Sequence, residues 1–263
     1  MFVSISVVSY NRKKLTEYCI NSIVKNTPTG LYELVVIDNF SSDGSVDMLR
    51  DMAKNGLMNK LGFSKVNSLG AAINKAWTLA EKKSDWLATF SNDHFVMKGW
   101  FENLSMVIED KNPDYVFSLL RMATFHKKER KRTKHGGFYM EDVLPRIETD
   151  RRFEVGTGLA IKKELVEKHN IRFSPAIFTP KTKSPFSLMC ADLIRLKLKK
   201  IELGKPCALE QDSEFNNPKY KDYYWKTFGQ RAKLGTWERL KKMGYTKFPE
   251  EYYAGSGYPE AGT

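Results

Sequence analysis

No stretch of the 263-residue chain approaches the roughly 18 consecutive apolar residues that a membrane-crossing helix requires, so no spanning segment is expected. Cysteine is scarce and odd in number. Cys19, Cys190 and Cys207 lie far apart, which argues against a disulfide framework and for reduced thiols in a cytoplasmic setting. Met1 to Val8 lacks the basic leader and small-residue cleavage site of a secretory signal and alternates like a strand instead. Internal repeats and long low-complexity segments are also missing. Acidic residues run short: 31 Asp and Glu stand against 43 Lys and Arg, a net charge of +12. That balance predicts attraction to a polyanion, whether nucleic acid, an anionic membrane face or a phosphorylated substrate.

What remains is an ordinary globular composition, 41% hydrophobic and 28% charged, on a chain long enough to bury a large core. Val3 to Val8 reads as a first strand, followed by a helix with Leu15, Cys19, Ile20, Ile23 and Val24 on one face. Thr27-Pro28-Thr29-Gly30 breaks that helix. Tyr32 to Ile37 is a β-branched run bounded by turn residues, the pattern of a buried parallel strand. A helix carrying Val46, Leu49, Met52 and Ala53 follows, then a strand around Leu61 to Val66. Leu69 to Trp77 begins another helix, and Trp86 to Phe90 is the fourth strand. Strand and helix alternating at this spacing predict an α/β fold with a mostly parallel sheet flanked by helices.

Ligands of such sheets bind outside the carboxyl ends of the strands. Three polar tips fall there: Ser9-Tyr10-Asn11, Asp38-Asn39 and Ser91-Asn92-Asp93-His94. Asn, Asp and Ser are common in turns for local reasons, and Ser91 or Asn92 is also placed to cap a helix starting near Gly99-Trp100. The coincidence of three such tips favours a site. In the last tip a carboxylate and an imidazole stand side by side, a pair able to hold a hard divalent cation.

These residues resemble the inverting glycosyltransferases of the GT-A fold, family 2 type. The matching motifs are Val7-Val8-Ser9-Tyr10-Asn11-Arg12, the stretch Val35 to Ser45, Gly70 with Asn74, and Ser91-Asn92-Asp93 followed by Gly99-Trp100. The likeness covers residues 1–104 best, and the second motif is the most specific. It implies a nucleotide-sugar donor, usually a UDP-sugar. Tyr10, Asn11 and Arg12 would line base and ribose, Asp38 would contact the base, and Gly70 and Asn74 would flank the sugar-phosphate side. Ser9, Asn39, Ser91 and Asn92 complete the donor-binding set. Asp93, as the last acid of the Asp-x-Asp pattern, would hold manganese or magnesium, with His94 as a second ligand candidate.

Two positions depart from that pattern. Ser91 stands where the first acid belongs, and serine is a weak cation ligand. Ala191-Asp192 stands where the family keeps two acids, leaving Asp192 to take the acceptor hydroxyl's proton as the transfer proceeds. Asp192 precedes Leu193, Leu196 and Leu198, which predicts a position near a helix N-terminus. Glu141-Asp142 is the alternative base, and Glu210 or Asp212 can substitute for a late histidine ligand that the sequence lacks at that point.

Three regions are expected: a nucleotide-sugar-binding half over 1–104, an acceptor-binding half over 105–215, and a helical extension over 216–263 with a flexible end. In the second region, Pro113 to Leu120 is a strand and Val155 to Ile161 resembles the family's acceptor-side strand. Lys163 to His169 is a helix, and Thr179 to Pro185 is a loop at the acceptor site. The cationic stretch His126 to His135, followed by Gly136-Gly137 and Phe138-Tyr139, is expected as a mobile flap over a polyanionic acceptor. DNA with hydroxylated bases is one such acceptor, its target base flipped out of the duplex. A glycan or lipid-linked saccharide at an anionic membrane face is the other. A catalytically silent nucleotide- or nucleic-acid-binding module on the same fold is the competing class.

Overall fold

A computed structural model describes residues 1–117, 128–142, 158–176, 186–203 and 208–210 of the chain. Strands β1 (Val3–Ser9) and β2 (Tyr32–Asp38) are buried along almost their whole length, as their apolar, β-branched composition requires. With β3 (Lys60–Phe63) and β4 (Trp86–Ser91) they form a parallel set in the order β3-β2-β1-β4. The register puts Ser9 beside Asp38 and Val8 beside Ser91, so the carboxyl ends of three strands finish level. Helices α1 (Lys13–Asn26), α2 (Ser45–Lys54) and α3 (Leu69–Thr78) connect them.

Period-two alternation sorts the strand side chains onto two faces. Leu34 and Val36 join Ile20, Leu49 and Val7 in one core, while Val35 and Ile37 join Ile73, Ala76 and Trp77 in the other. Each fully buried aliphatic side chain contributes about 1.5–3 kcal/mol. The first core is closed by α4 (Trp100–Lys111), through Trp100, Phe101, Leu104 and Val107. The second is closed by α5 (Lys163–His169) and α6 (Ser187–Arg195), through Val166, Met189 and Leu193.

Past β4 the sheet becomes mixed. Its further strands are β6 (Tyr115–Phe117), β7 (Lys128–Arg132), β8 (Phe138–Asp142), β9 (Leu159–Lys162) and β10 (Lys200–Leu203), in the order β9-β6-β10-β8-β7. Strand β9 runs antiparallel to both β4 and β6. A separate two-stranded sheet pairs β5 (His94–Val96) with β11 (Ala208–Glu210).

Several expectations are corrected here. The cationic stretch is no free flap over residues 128–135, because Lys128–Arg132 is strand β7, paired antiparallel with β8. An all-polar strand gives no apolar alternation to read, and the partner strand supplies the order. Its turn is fixed by Thr133, whose amide donates to the Gly137 carbonyl at 2.8 Å and whose hydroxyl accepts from the Gly137 amide at 2.9 Å. Lys134 and His135 reach Asp110 and Glu109 on α4, at 3.9 and 3.8 Å. The third strand stops at Phe63, and Val66 is exposed. Helix α4 is capped by Gly99, with no side-chain cap, so neither Ser91 nor Asn92 serves it. Strand β5 lies between. Residues 118–127, 143–157, 177–185, 204–207 and 211–263 lie outside the described set. With them go the acceptor-site loop, Val155 to Thr157, Asp212 and the helical extension.

Candidate active site

The tips of β1, β2 and β4 are tied into one unit by hydrogen bonds. Asn11 does most of this: its amide donates to Ser41 Oγ (2.8 Å), its Oδ1 accepts from the Ser42 amide (2.8 Å), and its carbonyl accepts from Asn92 Nδ2 (3.2 Å). Asn92 Nδ2 also donates to Thr16 Oγ1 at 2.9 Å. Ser9 is buried, its carbonyl accepts from the Asn39 amide at 2.7 Å, and its hydroxyl meets Thr16 at 3.3 Å. Asn39 Nδ2 donates to Asn67 Oδ1 (2.8 Å), and Asn39 Oδ1 accepts from the Ser68 amide (3.0 Å). Ser9, Asn11, Asn39 and Asn92 are thus the frame of the cleft, with their polar groups committed to one another.

Asp43 adds a second brace. Its Oδ2 accepts from the Lys13 amide at 3.0 Å and its Oδ1 from the Ser45 amide at 3.1 Å, so one carboxylate caps the starts of α1 and α2. Burial pushes its pKa up, but the bonds from Ser45 and Lys13 outweigh that and hold it below the usual aspartate value.

Other groups are presented rather than spent. Asp38 is 2% exposed; its Oδ2 accepts from the Ser41 amide at 3.0 Å, while Oδ1 has no hydrogen-bond partner among the described residues. A buried carboxylate oxygen without a donor is costly, and it marks a place where a ligand N–H is wanted. Tyr10, which follows the Ser9 that pairs with Asp38, is exposed, and Phe40 is 60% exposed with φ 74°, a rare backbone for a bulky residue. Arg12 Nη1 donates to Asp93 Oδ2 at 3.0 Å, closing the tips of β1 and β4 across the cleft. Ser91 is partly exposed at the end of β4, and its carbonyl accepts from Cys19 Sγ at 3.3 Å. Burial drives the Cys19 thiol strongly upward, and the negative charge of Asp93 adds to it.

The remaining expected site residues sit elsewhere. Asn74 exchanges two hydrogen bonds with the backbone of Phe173, and Gly70 lies under Ser174, where a Cβ would come within 1.9 Å of the carbonyl oxygen. Ser68 Oγ donates to the Pro175 carbonyl at 2.7 Å. Residues 171–176 therefore form a strap across α3, and Gly70 and Asn74 hold it. His94 is 1% exposed, edge-on to Phe90 with ring centroids 6.0 Å apart, inside the core rather than on the rim. Asp192 lies in the second half of α6, not at its start, because the helix begins at Ser187. Among the described residues its carboxylate meets Arg195, at 3.0 Å.

The profile of Glycosyl transferase family 2 matches residues 4–169. The chain belongs to that family. Solved structures agree on the fold. S. aureus TarS 1-349 in complex with UDP-GlcNAc is 17% identical and superposes with a TM-score of 0.59 over 79% of this chain. The mannosyltransferase PcManGT from Pyrobaculum calidifontis, in complex with GDP-Man and Mn2+, is 17% identical, with a TM-score of 0.61 over 95% of this chain. The chain spans 58% of the length of the TarS fragment and 66% of that of the mannosyltransferase. No curated protein matches. The likeness establishes the GT-A fold, a mixed sheet flanked by helices.

Within this family member the tip residues legible from sequence divide into frame and contact groups, a division the motif alone does not carry. Thr16, Asn67 and the strap residues were missed, because their roles depend on partners 28 to 107 positions away. Asp43 had a signal, an acid just ahead of Gly44-Ser45 at a helix start. A divalent cation finds a lean donor set. Among the described residues no three His, Cys, Asp or Glu side chains converge. Asp93 is the one carboxylate of the expected site both at the tips and partly open, with 32% of its side chain exposed. One carboxylate fits a magnesium-type site, whose shell is completed by phosphate oxygens and water.

Proposed function

We propose that this chain is a glycosyltransferase that moves one sugar from a nucleotide diphosphate, UDP foremost, to an acceptor hydroxyl with inversion. The observation that carries this reading is the meeting of three strand ends: Ser9 lies beside Asp38 and Val8 beside Ser91, Arg12 reaches Asp93, and Asp38 Oδ1 has no partner among the described residues. Asp38 Oδ1 accepts an N–H from the base edge. Tyr10 covers the base, and Ser91 and Asn92 border the ribose and phosphate side. When bound, manganese or magnesium on Asp93 supplies positive charge against the departing diphosphate. His94, deep in the core, serves the position of the tip rather than its open face. Asp192, at the family's acidic position, takes the acceptor proton, exchanging Arg195 for the incoming hydroxyl.

The acceptor reading rests on charge alone. A net +12 and the basic strand β7 favour a polyanionic acceptor, DNA with hydroxylated bases or a saccharide at an anionic membrane face. No helix among the described residues is long and apolar enough to cross a membrane. Cytoplasmic residence is the reading supported by three scattered cysteines.

Incubation with a panel of nucleotide sugars, with and without manganese, tests the enzyme reading through release of the nucleoside diphosphate. Release that vanishes in Asp93→Ala, with folding intact, is expected. A second reading, a silent binding module, draws on Ser91, Ala191 and the ion pair already holding Asp93. Nucleotide binding without turnover of any donor under any metal would establish it.

A further inference from the structure

We infer that Arg12 is a placeholder cation. In the free protein its guanidinium occupies Asp93, and nucleotide diphosphate and divalent metal enter together as Arg12 passes from that carboxylate to the diphosphate. This rests on the nucleotide-binding reading above and adds to it a residue and an order of binding.

The first support is the contact itself. Arg12 Nη1 stands 3.0 Å from Asp93 Oδ2, and the two side chains are only 22% and 32% exposed. A cation arriving alone meets a carboxylate whose charge is already offset. It would also have to sit beside a fixed guanidinium, and like charges a few ångströms apart in a partly buried cleft repel strongly.

The second support is the backbone that delivers Arg12. Asn11 and Arg12 are consecutive residues at φ 51° and 58°, a left-handed turn that non-glycine residues seldom adopt and that persists where the surroundings enforce it. Asn11 is locked there by Ser41, Ser42 and Asn92. The turn throws the Arg12 side chain across the cleft to the tip of β4.

The third support is the charge at the start of α1. Arg12, Lys13 and Lys14 open the helix, its first turn holds no acid, and Arg12 gives it no side-chain cap. Asp43, shared with the start of α2, is the carboxylate that caps this helix start, and one acid does not balance three cations and the partial positive charge of a helix N-terminus. A doubly charged diphosphate reverses that, since it is attracted by all three and by the helix end. Once Arg12 turns to it, the ion pair that offsets the charge of Asp93 is released, and the carboxylate can hold the metal. Metal and nucleotide therefore bind with positive coupling, and by linkage each raises the affinity of the other equally.

Titration of the full chain with Mn2+, following the electron paramagnetic resonance signal of the free aqua ion with and without UDP, tests this without reference to turnover. Arg12→Asn is the informative variant, since asparagine tolerates the left-handed turn and is too short to reach Asp93. Arg12→Lys keeps the charge, and circular dichroism verifies that each variant folds. Wild type is expected to take up Mn2+ weakly alone and about tenfold or more tightly with UDP. Arg12→Asn should bind Mn2+ alone about fivefold tighter than wild type, the scale of a partly exposed ion pair. It should also lose most of the gain from UDP, while Arg12→Lys stays close to wild type. Equal Mn2+ affinity of wild type and Arg12→Asn without UDP, with UDP still recruiting the ion to both, overturns the role of Arg12 and leaves the nucleotide site standing. No uptake by wild type even with UDP overturns the placeholder and the metal-assisted reading together.

Discussion

Asn74 and the backbone of Phe173 exchange two hydrogen bonds, Nδ2 to the carbonyl and the amide to Oδ1, each 2.9 Å. One side chain on α3 thereby satisfies both peptide groups of a residue 99 positions away, whose ring is 1% exposed and packed on Trp77. Removing the amide strands two backbone groups. Asn74→Ala is expected to cost about 2–4 kcal/mol, at about 1–2 kcal/mol per group left unsatisfied. Chemical denaturation checks it, and a loss below about 0.5 kcal/mol would show that water replaces the asparagine.

Gly70 tests the same strap from the other side. Alanine favours a helix over glycine by about 1 kcal/mol. Here the added Cβ would meet the Ser174 carbonyl oxygen at 1.9 Å, so backbone has to move. Gly70→Ala should therefore destabilise despite its propensity, by about 1–3 kcal/mol as in overpacked cores. A thermal melt at or above wild type would mean that the strap lifts away freely.

Asp38 sets stability against binding. Its Oδ1 is buried without a described partner, which costs stability, and the proposed contact with the base would relieve that cost. Asp38→Asn is expected to melt at or above the wild-type temperature. Its affinity for UDP should fall about tenfold or more, the scale of one hydrogen bond to a charged acceptor. Calorimetric titration with UDP reads the second effect; unchanged affinity would remove Asp38 from the base pocket.

Phe40 carries a similar tension. Its φ of 74° strains a bulky residue by about 1–2 kcal/mol, and its ring is 60% exposed, so little packing compensates. Phe40→Gly should raise stability by about 1 kcal/mol. If the ring stacks on bound nucleotide, the same variant loses UDP affinity; a gain in stability with no change in binding assigns the ring another role.

Asp43 governs acid stability. Its pKa is lower in the folded chain than the ordinary aspartate value of 3.8, so the unfolded state binds the proton more readily. Its contribution is complete above about pH 4 and is lost as pH falls through the lower folded value. Asp43→Asn, which keeps a capping oxygen but cannot titrate, should flatten the stability profile below pH 4 in urea melts at stepped pH. An unchanged slope would exonerate this carboxylate.

The parallel half was legible because its cause is local. Val3 to Val8 and Tyr32 to Ile37 are continuous apolar runs between turn residues, and the helices between them repeat at 3.6. The level ending of three strands follows from that alternation and puts the tips that carry Tyr10, Asp38 and Asp93 at one edge of the sheet. What escaped depends on distant partners. Lys128 to Arg132 has no apolar period, so only β8 reveals it as a strand. The start of α6 at Ser187 rather than near Asp192 is set by packing of Met189 and Leu193 on the Phe173 side of the sheet. Asn74 looks like a ligand group until Phe173 takes both of its ends.

Among the described residues strand β7 is the last in the sheet order, and four of its five residues are lysine or arginine. An outermost strand is where another chain can add to a sheet. Edge-to-edge pairing of two molecules here would set like charges about 5 Å apart at most rungs, which is unfavourable. The sheet thus carries its own guard against growing into fibres, whatever else its positive margin attracts.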